Sequence, residues 1–170
     1  MEISKDYFNF FVEEINKYAE GVNFLNPGIE EGYIEKAEEK LKVKLPEEYK
    51  AFLRIYNGGE IFRPGTVLSE IYKNPDDRVR GGAYLNDAFD ERFKTFGVPA
   101  NLLIIGSMSF GDAICIDLEE STEIAKIKIW SFELSEIDRS WESLKDWLSG
   151  CLEIGEMLMD YNGIEKELDF

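Results

Sequence analysis

The chain contains no histidine. That absence removes the side chain used most often as a general base near neutral pH and found most often on transition metals, so Ser-His and Cys-His nucleophilic sites are excluded. Cysteine is almost as scarce. Cys115 and Cys151 stand far apart among apolar neighbours, which fits small buried side chains in a reducing compartment and offers neither a disulfide framework nor a zinc pattern. No apolar run approaches the ~20 residues needed to span a bilayer. Glu2 follows Met1 directly, and the start of the chain lacks the basic-then-apolar order of a secretion signal. Together these shortages predict a cytoplasmic protein that needs no metal or other cofactor and does not enter a membrane.

Basic residues are also in short supply, with 19 Lys and Arg against 35 Asp and Glu and a formal net charge of −16. Residues 1–60 carry 13 acids and 8 bases, and residues 61–170 carry 22 and 11, so the surplus belongs to the whole chain and not to a tail. Such a surface repels phosphate backbones, because nucleic-acid affinity comes largely from Lys and Arg releasing counterions. A basic protein is the partner that this charge suits. Phosphate loops are missing too: Phe110-Gly111-Asp112 lacks the following Lys-Ser/Thr, and Gly58-Gly59 follows a predicted helix where a strand is required. Glycoside hydrolysis would need two acids facing one sugar. Asp112 and Asp117 are five positions apart, so a strand reaching both would point them to opposite faces. Asp117 to Glu123 echoes a calcium loop but has Thr122 where the sharp turn needs glycine. The sequence is therefore read as that of a protein with no catalytic residues.

What the chain does contain is enough apolar and aromatic residue, 44% and 14%, for one substantial core in 170 residues. Residues 1–170 are expected to form a single domain, with 161–170 a loosely ordered tail. The stretch Ile34 to Glu60 organises the rest. Ile34, Ala37 and Leu41 recur at helical spacing while Glu35, Lys36, Glu39 and Lys40 fill the opposite side, which predicts an amphipathic helix. Pro46 then starts a second helix, with Glu47 and Glu48 at its positive dipole end and Tyr49, Phe52, Leu53 and Tyr56 as its apolar stripe. Asn57-Gly58-Gly59 is read as the left-handed end of that helix. Glu38, next to the Pro46 corner, is expected to accept hydrogen bonds from backbone amides there.

Elsewhere, Ser4 is read as the cap of a helix bearing Phe8, Phe11, Ile15 and Tyr18, and Gly21 to Gly28 as turn. Asn86 is read as the cap of a helix bearing Phe89, Phe93 and Phe96, closed by Gly97. The compact apolar runs 102–106 and 113–118 predict neighbouring central strands, and 124–132, with Lys126 and Lys128 on one side, a third strand near a sheet edge. Ser140 is read as the cap of a long helix ending near Asp160, with Glu142, Asp146, Glu153, Glu156 and Asp160 as an acidic stripe. The predicted class is α+β: a central antiparallel sheet packed by N-terminal helices and a long C-terminal helix.

The helix, Leu45-Pro46-Glu47-Glu48-Tyr49-Lys50, the Phe52-Leu53 pair and Asn57-Gly58-Gly59, followed by Gly111-Asp112 and Asp117, resemble the SUKH superfamily of bacterial toxin-immunity proteins and fungal cell-wall assembly or glucan synthesis regulators. The resemblance extends over roughly residues 34–148, and residues 63–85 fall outside its motifs. It implies a non-catalytic protein-binding module: an immunity protein that neutralises a cognate toxin, such as a nuclease, through an acidic surface, or a regulatory scaffold with a housekeeping partner. The expected contact zone joins Asn57, Gly58, Gly59 and Glu60, a long partner-specific 63–85 loop, Gly111, Asp112, Glu119 and Glu120, because loops on a rigid frame can change partner without changing fold.

Overall fold

The computed structural model describes residues 2–90 and 96–169. The fold is α+β. Among the described residues, seven strands form one antiparallel sheet in which spatial order repeats sequence order: β1 (Phe24–Pro27), β2 (Tyr56–Ile61), β3 (Thr66–Leu68), β4 (Leu102–Ser107), β5 (Ala113–Asp117), β6 (Ile127–Ser131) and β7 (Glu136–Trp141). Among the described residues four α-helices accompany it: α1 (Asn9–Asn16), α2 (Glu31–Leu41), α3 (Glu47–Ile55) and α4 (Leu144–Leu158).

Strand alternation divides the apolar residues between two sides of the sheet. Leu103, Ile105, Ile114, Ile116, Ile127 and Ile129 join the main core with Phe11, Ile34, Phe52, Leu53, Leu144, Trp147 and Leu148 from the four helices. Their in-between neighbours Leu102, Ala113, Cys115 and Trp130 form a smaller cluster with Val98 and Ile104. Both faces of β5 are therefore buried along its whole length. Aromatic edges fill the space between α1 and α3, with Phe52 edge-on to both Phe8 and Phe11.

One carboxylate ties the helical layer together. Glu48 has no solvent exposure. Its Oε2 accepts hydrogen bonds from the backbone amides of Ala125 (2.9 Å) and Leu144 (3.2 Å), and its Oε1 accepts from the Lys145 amide (3.1 Å) and the Tyr7 hydroxyl (2.9 Å). Four donors match the lone-pair sites of an ionised carboxylate. Leu144 and Lys145 are the first two residues of α4, and Ser143 Oγ accepts from the Asp146 amide at the third. The positive end of α4 is thus satisfied jointly by its own cap and by a charge delivered from α3. Burial, with the bond to Glu48, pushes the Tyr7 hydroxyl up to about 12.

Several expectations are corrected. The first helix begins at Asn9, since Ser4 to Phe8 form turns and no side chain caps the helix. Residues 24–27, read as turn, include β1, a short strand containing Pro27 at the sheet's edge, where a missing N–H does little harm. Ser140 lies in β7, and the cap of the last helix is Ser143. The third predicted strand, β6, is interior because β7 pairs with its outer side. Five of the six β7 residues are exposed and only Trp141 packs partly on the core, so the strand is held mainly by its ladder of backbone bonds and gives no burial pattern to read. Asn86 sits inside a 3-10 turn, Leu85–Asp87, and its side chain bonds the backbone of Tyr72. Phe89 packs partly on the core, Phe96 is exposed against Phe132, and Phe93 lies outside the described residues.

Replacing Leu53, which is 1% exposed, by Ala is expected to cost about 2–5 kcal/mol, measured from the urea midpoint. Glu48→Gln keeps the shape but turns an amide nitrogen toward at least one backbone N–H, which can only donate. It is expected to cost about 2–4 kcal/mol by the same measurement, and a loss under about 0.5 kcal/mol would remove Glu48 from its central position.

Candidate functional site

The α2–α3 corner carries the most specific sequence pattern, and its geometry follows from three local devices. Lys42 takes the left-handed conformation (φ 57°) that ends α2, and Pro46 holds the extended residue before α3. Glu38, 6% exposed, accepts the Leu45 amide at 2.8 Å, which is the backbone-satisfying role expected from its place beside the corner. Arg54 donates to both Glu31 and Glu47 at 2.7 Å and so joins α2 to α3. A groove lies between this corner and the β5–β6 connection, lined by Lys44, Glu47, Lys50, Leu118, Thr122 and Glu123. The Glu48 amide donates to the Glu123 carbonyl at 2.9 Å, fixing one side of the groove to the other.

Asn57, Gly58, Gly59 and Glu60 do not end the helix; they lie in β2. The positive φ values expected of the two glycines are present, 71° and 127°, but in a strand sandwiched between two others. A Cβ on Gly58 would fall 2.6 Å from the Ser69 carbonyl oxygen, and one on Gly59 would fall 2.2 Å from that of Phe24. Glycine is required by crowding from both sides as much as by φ. Asn57 is buried, and its amide donates to the Ile71 carbonyl (3.0 Å) and accepts the Ile71 amide (2.8 Å), standing in for a strand residue where β3 has ended. Glu60 pairs with Arg63 across the β2–β3 hairpin at 3.1 Å.

The other expected contact residues fall at two different ends of the sheet. Gly111 and Asp112 form the β4–β5 turn: Gly111 has a φ of 101°, and the Met108 amide donates to the Asp112 carbonyl at 2.8 Å. They share an end with the β2–β3 and β6–β7 hairpins. Glu119 and Glu120 follow the other end of β5, roughly 17 Å of strand away at ~3.4 Å per residue. There Asp117, 5% exposed, accepts the Glu119 and Glu120 amides at 3.0 and 3.2 Å and the Asn101 side chain at 3.2 Å. Its carboxylate is committed to shaping the turn, which leaves Glu119, Glu120 and Glu123 exposed around it.

Asp112 and Asp117 thus stand at opposite ends of β5 and converge on nothing. Burial pushes the thiols of Cys115 and Cys151 up to about 12, which keeps both protonated and poorly nucleophilic at neutral pH. Among the described residues no group of three or more His, Cys, Asp and Glu side chains is placed to hold a metal ion, and no helix is long and apolar enough to cross a membrane. Sequence reasoning treated Glu48 only as a helix-dipole charge. Its spacing of four from Phe52, on the buried side of α3, was the signal that it points inward.

Asn57→Ala would leave the Ile71 amide and carbonyl buried without partners. The expected cost is about 2–5 kcal/mol, roughly 1–3 for each group, with faster hydrogen exchange at the Ile71 amide as the local readout.

No curated protein matches this chain. Its fold is similar to that in the crystal structure of a protein from Pseudomonas syringae pv. tomato, with a TM-score of 0.61 and 20% sequence identity over 85% of this chain and 98% of that one. The profile of the SMI1 / KNR4 family (SUKH-1) matches residues 28–150, from just before α2 to the middle of α4. That span contains Glu38, Glu48 with its three backbone partners, the Asn57-Gly58-Gly59 strand and the Asp117 turn, and the chain belongs to the SMI1 / KNR4 (SUKH-1) family.

Proposed function

We propose that this protein is a non-catalytic immunity protein that binds a cognate toxin domain and blocks its basic, phosphate-handling surface. The observation that carries the reading is the family membership, which supports a protein-binding role as immunity protein or regulator. The net charge of −16 narrows it toward a basic partner. The residues argue in the same direction. Among the buried polar side chains, Glu48, Asp117 and Asn57 are occupied by backbone amides and carbonyls, and Asp87 by Lys40, Tyr72 and Arg78.

The contact is assigned to the end of the sheet carrying Glu119, Glu120 and Glu123, beside the α2–α3 corner. Glu142 extends this acidic edge, paired with Lys126, and Glu120 pairs with Lys128 at 3.1 Å. Asn57, Gly58 and Gly59 hold the frame on which that edge is mounted. Glu60, Gly111 and Asp112 mark the opposite end and form a second, smaller polar edge. Glu153 and Glu156 on α4 are exposed and offer the rival surface.

The test asks first whether a gene beside this protein's own encodes a toxin domain, then co-expresses the two and follows association kinetics with the purified pair; a neighbourhood without a toxin favours the regulatory role. The immunity reading requires rescue of growth, and a complex without rescue assigns the protein to the regulatory role instead. Association should slow steeply between low and physiological salt while dissociation changes little. A Glu119→Lys/Glu120→Lys double variant should associate about tenfold more slowly at low salt, and Glu153→Lys/Glu156→Lys should match the unaltered protein. The reverse ranking moves the interface to α4.

A further inference from the structure

On this acidic molecule one surface is built the other way round. Between α2 and the segment after β3, a cleft of about 310 Å³ gathers Lys36, Lys40, Lys73 and Arg78 around two tyrosines. Lys36 and Lys73 lie 5.2 and 5.0 Å from the ring centre of Tyr33, and Lys40 and Arg78 each lie 5.3 Å from that of Tyr72. Each ring therefore carries a pair of cations, an arrangement that aromatic faces favour and that like charges left to themselves avoid.

The carboxylates near the cleft are arranged to orient these cations. Asp87 has a side chain only 1% exposed, and it accepts from Lys40 Nζ at 2.7 Å, from the Tyr72 hydroxyl at 3.0 Å and from Arg78 Nη1 at 3.3 Å. Burial opposes the charge on Asp87, but the bonds from Lys40, Tyr72 and Arg78 outweigh it and hold the carboxyl below the usual range. The negative charge is thus inside and the positive ends are outside, with Lys40, Lys73 and Arg78 each 43–46% exposed. Glu30 meets Lys73 at 3.1 Å, and Asp77 is turned onto the Asn74 amide. Asn86 fixes the backbone of Tyr72 from below. Tyr and Arg held rigid in this way are the residue types that anchor protein interfaces.

We infer that this cleft is a docking surface for an acidic peptide segment of the bound partner, its Asp or Glu carboxylates taken by Lys36, Lys40, Lys73 and Arg78 against the Tyr33 and Tyr72 rings. The inference rests on the protein-binding reading given above. Its position supports that link, because the segment bearing Tyr72 to Arg78 leaves β3 at the same end of the sheet as the Glu119–Glu123 turn. A partner with a basic surface and an acidic flank would meet both. Such a pairing also sets orientation, since a partner docked the other way would place like charges opposite each other.

The test needs no toxin, so its failure is separable from failure of the immunity reading. A fluorescent deca-glutamate peptide is titrated by anisotropy at low salt into the full chain and into Lys36→Glu/Lys73→Glu. That variant spares Lys40 and Arg78, which hold the buried Asp87, and circular dichroism checks its fold. Binding at least about tenfold weaker in the variant, with amide shift changes centred on Tyr33, Tyr72 and Lys73, is the expected result. Equal binding by the two proteins, or none at millimolar peptide, overturns the proposal. Displacement of the peptide by inorganic phosphate at the peptide's own concentration range also overturns it, since the cleft would then be a small-anion site.

Discussion

The helical layer depends on one buried negative charge. Glu48 binds the Tyr7 hydroxyl, the amide that begins the approach to β6, and the first two amides of α4, so segments from both ends of the chain and the middle meet at a single carboxylate. An ionised group without solvent is tolerable only when every lone pair is met, which makes the site cooperative in a plain sense. Displacing any one of these segments strands a charge, and with it the start of α4. The same requirement places the β5–β6 turn against α3, because Ala125 supplies one of the donors and Glu123 accepts from the Glu48 amide. The proposed acidic edge is therefore positioned by the core and not by its own residues.

Backbone satisfaction by side chains recurs throughout the family span. Glu38 serves the α2–α3 corner, Asn57 replaces a strand residue beside Ile71, and Asp117 shapes the turn that exposes Glu119 and Glu120. In each case a polar side chain does inside the frame what a catalytic group would do toward a substrate. Beside these satisfied groups, Glu119, Glu120 and Glu123 stand exposed on a turn, the arrangement expected of a molecule that recognises surfaces.

Much of this was legible in the sequence. The amphipathic spacing of Ile34, Ala37 and Leu41, the Pro46 corner, the paired apolar runs of β4 and β5 and the role of Glu38 all follow from local pattern, because each is fixed by residues close in the chain. Three kinds of feature were not. β1 and β7 are edge strands with little burial, so their residues carry no alternation to detect. Asn57-Gly58-Gly59 has the chemistry of a helix end, yet the crowding that demands glycine comes from Phe24 and Ser69, which only the folded sheet brings near. The candidate contact residues were expected to meet, but successive turns of an antiparallel meander lie at opposite ends, and this separates Asp112 from Glu119 and Glu120. Nothing in local spacing announces the basic cleft, because α2 supplies half of it and the segment after β3 the rest.

The meander also bears on the order in which the molecule assembles. Each strand pairs with its neighbour in sequence, so most of the sheet can close hairpin by hairpin with small loop-closure entropy. The Glu48 bonds, by contrast, span 41 to 97 positions. Contacts that distant close late, after the hairpins have brought Ala125 and Leu144 within reach of α3. A late clamp contributes little to the folding barrier and acts mainly on the way out, so the carboxylate governs how long the native state persists more than how fast it is reached.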